Sequence, residues 1–84
     1  MPPKKRNLLD SCAMLAFLNR ERGFERVKSL LRSAAATGEP LLMNEINIGE
    51  VYYITAKDRS MEQAETFFHH LETLPIQPVV SSFP

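Results

Sequence analysis

The chain has few of the features that place a protein in a specialised class. Its 84 residues include a single cysteine, Cys12, so no disulfide can form within the chain, and a lone thiol is typical of the reducing cytosol. No apolar run approaches the roughly 18–20 residues that a membrane-spanning helix needs. The basic start of the chain is not followed by the apolar core of a signal peptide, because Asp10 and Arg20 interrupt the apolar stretches. These absences predict a cytoplasmic protein with no membrane partner.

A net charge is also missing, because ten basic residues balance ten acidic ones, so no overall field favours nucleic acid. The charges are nevertheless unevenly distributed. Residues 1–32 carry eight basic and three acidic residues (net +5), whereas residues 33–84 carry two basic and seven acidic residues (net −5). Such asymmetry is found in polyanion-binding surfaces, and equally where a helix has a solvated face of mixed charge. The candidate phosphate ligands are Arg20, Arg22, Arg26 and Arg32.

Apolar periodicity and turn residues divide the chain into three strands and four helices. Residues 1–5 are predicted to be a flexible basic arm, and residues 6–84 to form one domain. The strands are expected at residues 6–10, 40–43 and 76–80. The helices are expected from the N-cap Ser11 to residue 22 or 23, from there to about residue 37, over about 45–58 after the N-cap Asn44, and from the N-cap Ser60 to Pro75. The resulting order, β-αα-β-αα-β, predicts an α/β fold with a short parallel sheet.

The pattern also predicts which side chains are buried. Leu8 and Leu9 are adjacent rather than alternating, which predicts a first strand buried on both faces. Pro78 cannot donate a backbone hydrogen bond, so the third strand is expected at an edge of the sheet. The fourth helix is expected to bury an apolar face made of Met61, Ala64, Phe67, Phe68, Leu71 and Leu74.

Asp10 is the first candidate for chemistry, because it lies between the first strand and the first helix. Ligands of open α/β sheets bind outside the carboxyl ends of the strands. An aspartate before a helix can equally be a cap or a favourable charge at the positive end of the helix dipole. Ser11 can also act as the cap, so the pattern leaves the cap and the functional acid as equal alternatives.

Glu50 is the second candidate, in the interior of the third helix. Ile46 and Ile54 lie one turn before and after it, and no Lys or Arg is placed to pair with it. A carboxylate in an apolar stripe is unfavourable unless it has a partner such as a metal ion. The alternative is that Glu50 lies at the margin of the stripe and reaches water. Gly49, unfavourable in a helix interior by about 1 kcal/mol, suggests the close approach of another backbone.

Asp10 and Glu50 can converge at the carboxyl edge of a parallel sheet. Two hard oxygen ligands suit Mg²⁺ or Mn²⁺, which keep several waters and bridge to phosphate. Ions of this kind assist phosphodiester hydrolysis.

Two segments resemble the motifs of a known family. The segment from Leu8 to Leu15, Leu-Leu-Asp-Ser-Cys-Ala-Met-Leu, looks like the opening of a PIN domain, and the segment from Asn47 to Tyr53, Asn-Ile-Gly-Glu-Val-Tyr-Tyr, looks like its second acidic motif. The branch that these segments resemble is the VapC-type toxins of toxin–antitoxin pairs, over roughly residues 7–80.

The resemblance implies a three-layer PIN-like fold and a Mg²⁺-dependent endoribonuclease in which Asp10 and Glu50 bind the metal. It also implies RNA as substrate, a cognate antitoxin as partner and a homodimer. The family continues past the third strand with further acids, whereas residues 73–84 contain none. The resemblance therefore implies a C-terminally truncated domain that binds its ion weakly, and a first strand left as an exposed edge through which the chain associates. The alternative function is a non-catalytic module that binds an antitoxin-like helix or a second copy.

Other chemically capable residues have simpler explanations. Cys12, where the family commonly has a small polar residue, is expected to be buried filler. His69 and His70 point about 100° apart on a helix and are expected at the surface. Tyr52 and Tyr53 can stack on bases, but core packing is the expectation.

Overall fold

A computed structural model describes residues 8–80, so the predicted arm at residues 1–5, residues 6–7 and the stub at residues 81–84 lie outside the described part of the chain. The order β-αα-β-αα-β is confirmed. The elements are β1 (Leu8–Leu9), α1 (Ser11–Leu18), α2 (Phe24–Thr37), β2 (Leu41–Asn44), α3 (Glu45–Asp58), α4 (Met61–Leu71) and β3 (Ile76–Val79).

The three strands form one parallel sheet in the order β1-β2-β3. Leu9 pairs with Met43, and Met43 pairs with Pro78, so the carboxyl ends of all three strands lie at one edge of the sheet. Within the described residues β1 pairs with β2 alone, which confirms that the first strand is an edge. Pro78 lies in the opposite edge strand, where its missing N–H is tolerated.

The core forms where the helices cover the sheet. Met14 of α1, Met43 of β2 and Val51 of α3 are its most completely enclosed side chains. The α2 helix contributes Val27 and Leu31 to the same cluster. α3 contacts α1, α4, β2 and β3, so this one helix links both helical pairs to the sheet.

Several predictions of burial were wrong because an apolar pattern does not say which contacts exist. Leu8 is 64% exposed, so β1 is not buried on both faces. Met61 and Phe68, assigned to the core face of α4, are 59% and 52% exposed. Apart from the neighbouring residues and nearby backbone of α3 itself, no described atom lies within 4 Å of the place where a Cβ on Gly49 would be, so the expected close approach of another backbone is not found in the described chain.

The first helix is shorter than predicted. α1 ends at Leu18 rather than at residue 22 or 23, because the chain turns through Arg20, which has φ +53°, and Gly23, which has φ +102°. Gly38 ends α2 in the left-handed conformation and α3 covers Glu45–Asp58, both as predicted. The fourth helix is also shorter than predicted, because α4 ends at Leu71 and does not reach Leu74 or Pro75. None of the helices in residues 8–80 is long and apolar enough to cross a membrane.

Candidate functional site

Asp10 follows β1 directly and is the N-cap of α1. Its backbone is extended (φ −98°, ψ 174°), and its Oδ1 accepts a hydrogen bond of 2.7 Å from the backbone N–H of Ala13. The prediction that Ser11 caps this helix was wrong, because Ser11 is already the first helical residue. Capping engages one carboxylate oxygen of Asp10. The side chain is exposed, so its second oxygen can still meet a ligand.

Asn44, the last residue of β2, occupies the equivalent position before α3. Its side-chain oxygen accepts a hydrogen bond of 2.8 Å from the backbone N–H of Ile46, as the predicted N-cap of α3. Leu9 pairs with Met43, so the residues that follow, Asp10 and Asn44, lie side by side on strands about 4.8 Å apart. Sequence reasoning identified Asn44 as a cap but missed it as a neighbour of Asp10. The signal was its matching place after the next strand.

Glu50 lies on α3, six residues after Asn44 and therefore about 9 Å further along the helix axis. The buried face of α3 is made of Ile48, Val51 and Thr55, and Glu50 is exposed. The placement of Glu50 in a buried apolar stripe was therefore wrong, and the alternative that it reaches water is confirmed. α1 contacts α3, so the helix that Asp10 caps lies beside the helix that carries Glu50.

The chemistry of these side chains suits a hard cation. Asp10 and Glu50 offer carboxylate oxygens, the ligand type that Mg²⁺ and Mn²⁺ prefer over nitrogen or sulfur. No group of three or more His, Cys, Asp or Glu that could enclose a metal ion occurs in residues 8–80.

A cationic cluster lies where α1 ends and α2 begins. The rings of Phe17 and Phe24 stack with centroids 5.3 Å apart. The Arg20 guanidinium lies 5.3 Å and the Lys28 ammonium 5.8 Å from the centre of the Phe24 ring. Of the predicted phosphate ligands, only Arg20 belongs to this cluster. Lys28 was missed, although its place four residues after Phe24 on a helix was a usable signal.

The remaining predicted phosphate ligands are dispersed. Arg22 precedes α2, and Arg26 and Arg32 lie on α2, where their six-residue separation turns them about 120° apart around the axis. All three are exposed, so they suit either a diffuse cationic surface or a solvated one.

Three other predictions concern isolated side chains. Cys12 is exposed in the first turn of α1, so its assignment as buried filler was wrong. His69 and His70 are both exposed, which confirms their assignment to the surface. Tyr53 is 66% exposed, contrary to the expected core packing.

An apolar groove lies between α3 and α4, and Asp10 does not line it. It has a volume of about 590 Å³, and its lining is Glu45, Ile48, Gly49, Tyr52, Glu65, Phe68, Leu71 and Pro78. Inside it the Tyr52 hydroxyl donates a hydrogen bond of 2.5 Å to Glu65, and the Tyr52 ring meets Phe68 edge-on. The hydrogen bond to Glu65 raises the pKa of Tyr52 above its usual value, with smaller contributions from desolvation and from the negative charge of Glu65.

Comparison with known proteins identifies the family. The family model for the PIN domain matches residues 8–82, which is nearly the whole chain. The chain belongs to the PIN-domain family. PIN domains are generally nucleases that depend on divalent metal ions. Neither the comparison with curated proteins nor the comparison with solved structures gave a significant match.

Proposed function

We propose that this PIN domain is a VapC-type endoribonuclease that cleaves RNA phosphodiester bonds with Mg²⁺ or Mn²⁺. The observation that carries the proposal is the position of Asp10, which lies at the carboxyl end of β1, beside Asn44, with one oxygen held by the first turn of α1. This is the edge where open α/β sheets bind ligands. The family match gives the chemistry expected of an acid at this place.

In this proposal Asp10 and Glu50 hold the ion. When bound, such an ion lowers the pKa of a coordinated water and stabilises the leaving oxygen of the phosphodiester. The N–H of Ala13 restrains the orientation of the Asp10 carboxylate by donating to Oδ1, and this hydrogen bond leaves Oδ2 for the ligand. Pre-orientation of this kind reduces the ordering needed when the ion and the substrate bind.

The cationic cluster gives the RNA a second point of attachment. α1 has eight residues and is therefore about 12 Å long, with Asp10 at its start and the cationic cluster just beyond its end. Arg20 and Lys28 would bind backbone phosphates, and the exposed Arg22, Arg26 and Arg32 would add unspecific attraction. Binding that depends on such contacts weakens steeply with salt.

The test is cleavage of a structured RNA with Mg²⁺ or Mn²⁺ by the wild type, Asp10→Asn, Glu50→Gln and the control Glu72→Gln. Glu72 is an exposed acid at the end of α4. Both site variants should lose more activity than the roughly 10–100-fold that outer-shell partners of metal sites typically contribute. Glu72→Gln should cleave like the wild type. Cleavage that survives both site variants would refute the assignment.

A second function is favoured by the open edge of the sheet. β1 pairs with β2 alone among the described residues, and Leu8 is exposed beside it. A non-catalytic PIN domain would bind an antitoxin helix or strand at this edge. In that case the wild type would not cleave RNA under any divalent ion, whereas Leu8→Lys would abolish binding of the antitoxin.

A further inference from the structure

A second cavity, which we call the α1–α4 pocket, lies where the end of α1 meets α3 and α4. Its volume is about 450 Å³, within the range of about 300–1,000 Å³ that is usual for small-molecule sites. Phe17, Leu18 and Asn19 line it from the end of α1. Asp10 caps the start of α1, which is about 12 Å long, so the pocket and the proposed metal site lie at opposite ends of this helix.

The α1–α4 pocket combines an apolar interior with hydrogen-bonding side chains. Phe67 and Leu74 contribute apolar surface. In residues 8–80 Thr55 is the one polar residue that is buried, and it also lines this pocket. The side-chain amides of Asn19 and the exposed Gln63 each provide donors and an acceptor. Such a lining suits a flat ligand that has apolar faces and a polar edge.

The cationic cluster adjoins the pocket through Phe17. This ring lines the pocket and also stacks on the ring of Phe24. The exposed Arg20 and Lys28 place their charges 5.3 Å and 5.8 Å from the centre of the Phe24 ring. A guanidinium that stacks on an aromatic ring keeps the planar N–H donors with which arginine binds phosphate. A ligand in the pocket therefore has two positive charges beside it.

We propose that the α1–α4 pocket binds one nucleotide, with its base inside the pocket and its phosphate on Arg20. The base has the flat apolar faces and the polar edge that the lining suits, and the phosphate has the charge that the cationic cluster attracts. Proteins recognise unpaired bases by stacking and by hydrogen bonds to their edges. The inference rests on the proposed attachment of RNA to this cluster and does not require cleavage.

Glu62 sets a preference among the bases. It lines the pocket from α4, and an ionised carboxylate can only accept hydrogen bonds. Cytosine, adenine and guanine carry an amino group that can donate to it, whereas uracil has none. Glu62 also repels a phosphate, so the amino-bearing edge is expected at α4 and the phosphate at Arg20. The pocket should therefore prefer cytosine to uracil.

The test is a titration of the full chain, followed by nuclear magnetic resonance, with cytidine monophosphate, uridine monophosphate and ribose 5-phosphate. Cytidine monophosphate should shift the backbone amide signals of Asn19, Gln63 and Thr66, which line the pocket. Uridine monophosphate should bind at least about threefold more weakly, and ribose 5-phosphate, which has no base, at least about tenfold more weakly. No divalent ion is added, so a protein that fails to cleave RNA can still bind the nucleotide, and an active one can fail to bind it.

Substitutions assign the binding to the pocket. Arg20→Gln removes a positive charge, and Gln63→Leu keeps the size of an exposed side chain but removes its amide. Each should weaken the binding of cytidine monophosphate at least about fivefold. The control Lys57→Gln removes a positive charge from α3 outside the pocket and should bind like the wild type. If Arg20→Gln disturbs the turn after α1, which circular dichroism would reveal, Gln63→Leu still tests the pocket.

A single-stranded RNA of four cytidines identifies the source of the nucleotide. Tighter binding than that of cytidine monophosphate assigns the pocket to RNA, because a neighbouring phosphate can reach Lys28, and binding that is no tighter assigns it to a free nucleotide. Both results support a nucleotide site. Signal shifts confined to other parts of the chain, equal binding of ribose 5-phosphate or of uridine monophosphate, or unchanged affinity in Gln63→Leu would each overturn the inference.

Discussion

Asp10 and Asn44 lie side by side at the carboxyl edge of the sheet, and each accepts a hydrogen bond from the first turn of the helix that follows it. Both residues stand where one of two neighbouring parallel strands gives way to a helix, and both cap that helix with a side-chain oxygen. The consequence for Asp10 is a double role, because the carboxylate that caps α1 is also the acid proposed to bind metal.

The two roles of Asp10 can be separated by substitution. Asp10→Ala removes the side-chain oxygen that accepts from Ala13 and should lower the free energy of unfolding by about 1 kcal/mol. Asp10→Asn keeps an accepting oxygen and should unfold like the wild type, although it lacks the charge. Urea denaturation measures both values. Equal destabilisation by the two substitutions would show that the negative charge, rather than the cap, stabilises α1.

Substitution by alanine should change the stability of the fold in opposite directions at Gly23 and at Gly49. Gly23 has φ +102°, where a side chain is strained, so Gly23→Ala should destabilise the fold by about 1–2 kcal/mol. Gly49 is helical with open space around it, so Gly49→Ala should stabilise the monomer by up to about 1 kcal/mol. Thermal unfolding at low protein concentration measures both. A destabilised Gly49→Ala monomer would contradict the open space seen there.

A buried and an exposed methionine allow the position of the core to be tested by the same substitution at both places. Met43 on β2 is completely buried, whereas Met61 on α4 is 59% exposed. Met43→Ala should lower the free energy of unfolding by about 2–5 kcal/mol because it leaves a cavity. Met61→Ala should change it by no more than about 0.5 kcal/mol. Chemical denaturation of the pair would show whether the core lies where the structure places it.

The Tyr52 hydroxyl should lose its proton at a higher pH than an ordinary tyrosine, because its hydrogen bond to Glu65 raises its pKa. The pKa of Tyr52 is raised above 10.0, so the stability contributed by its hydrogen bond is fully present below pH 10 and is lost as the pH rises through the raised value. Titration of the tyrosine absorbance in a Tyr53→Phe background, where Tyr52 is the one remaining tyrosine, measures this pKa directly. Glu65→Ala should lower it, and Glu72→Ala should leave it unchanged. No change in Glu65→Ala would contradict the hydrogen bond.

Local signals in the sequence predicted most of the fold. Asn44 and Ser60 cap α3 and α4 as expected, and Gly38 ends α2, because caps and terminal glycines act through neighbouring residues. The start of α1 was misassigned because Asp10 and Ser11 are adjacent and both are good caps.

Burial could not be predicted as well, because it depends on contacts between distant segments. α3 has apolar residues on several sides, so its pattern could not show that Ile46 and Tyr53 face outward while Ile48 and Val51 face the core. The same limit applied to Glu50, which the pattern placed in an apolar stripe and the structure places in water. For the candidate site, the sequence motifs were enough to identify the two acids. That Asp10 and Asn44 are neighbours could be seen only from the register between β1 and β2, which the structure provides.

Binding of Mn²⁺ by the wild type, Asp10→Asn, Glu50→Gln and the double variant tests the central claim most directly. The signal of free Mn²⁺ in electron paramagnetic resonance reports the ion itself, independently of any RNA. If Asp10 and Glu50 hold one ion, each single substitution weakens binding and the double variant loses less than the combined effects of the two, because the residues are coupled. Binding by Glu50→Gln that equals binding by the wild type would contradict the proposed site.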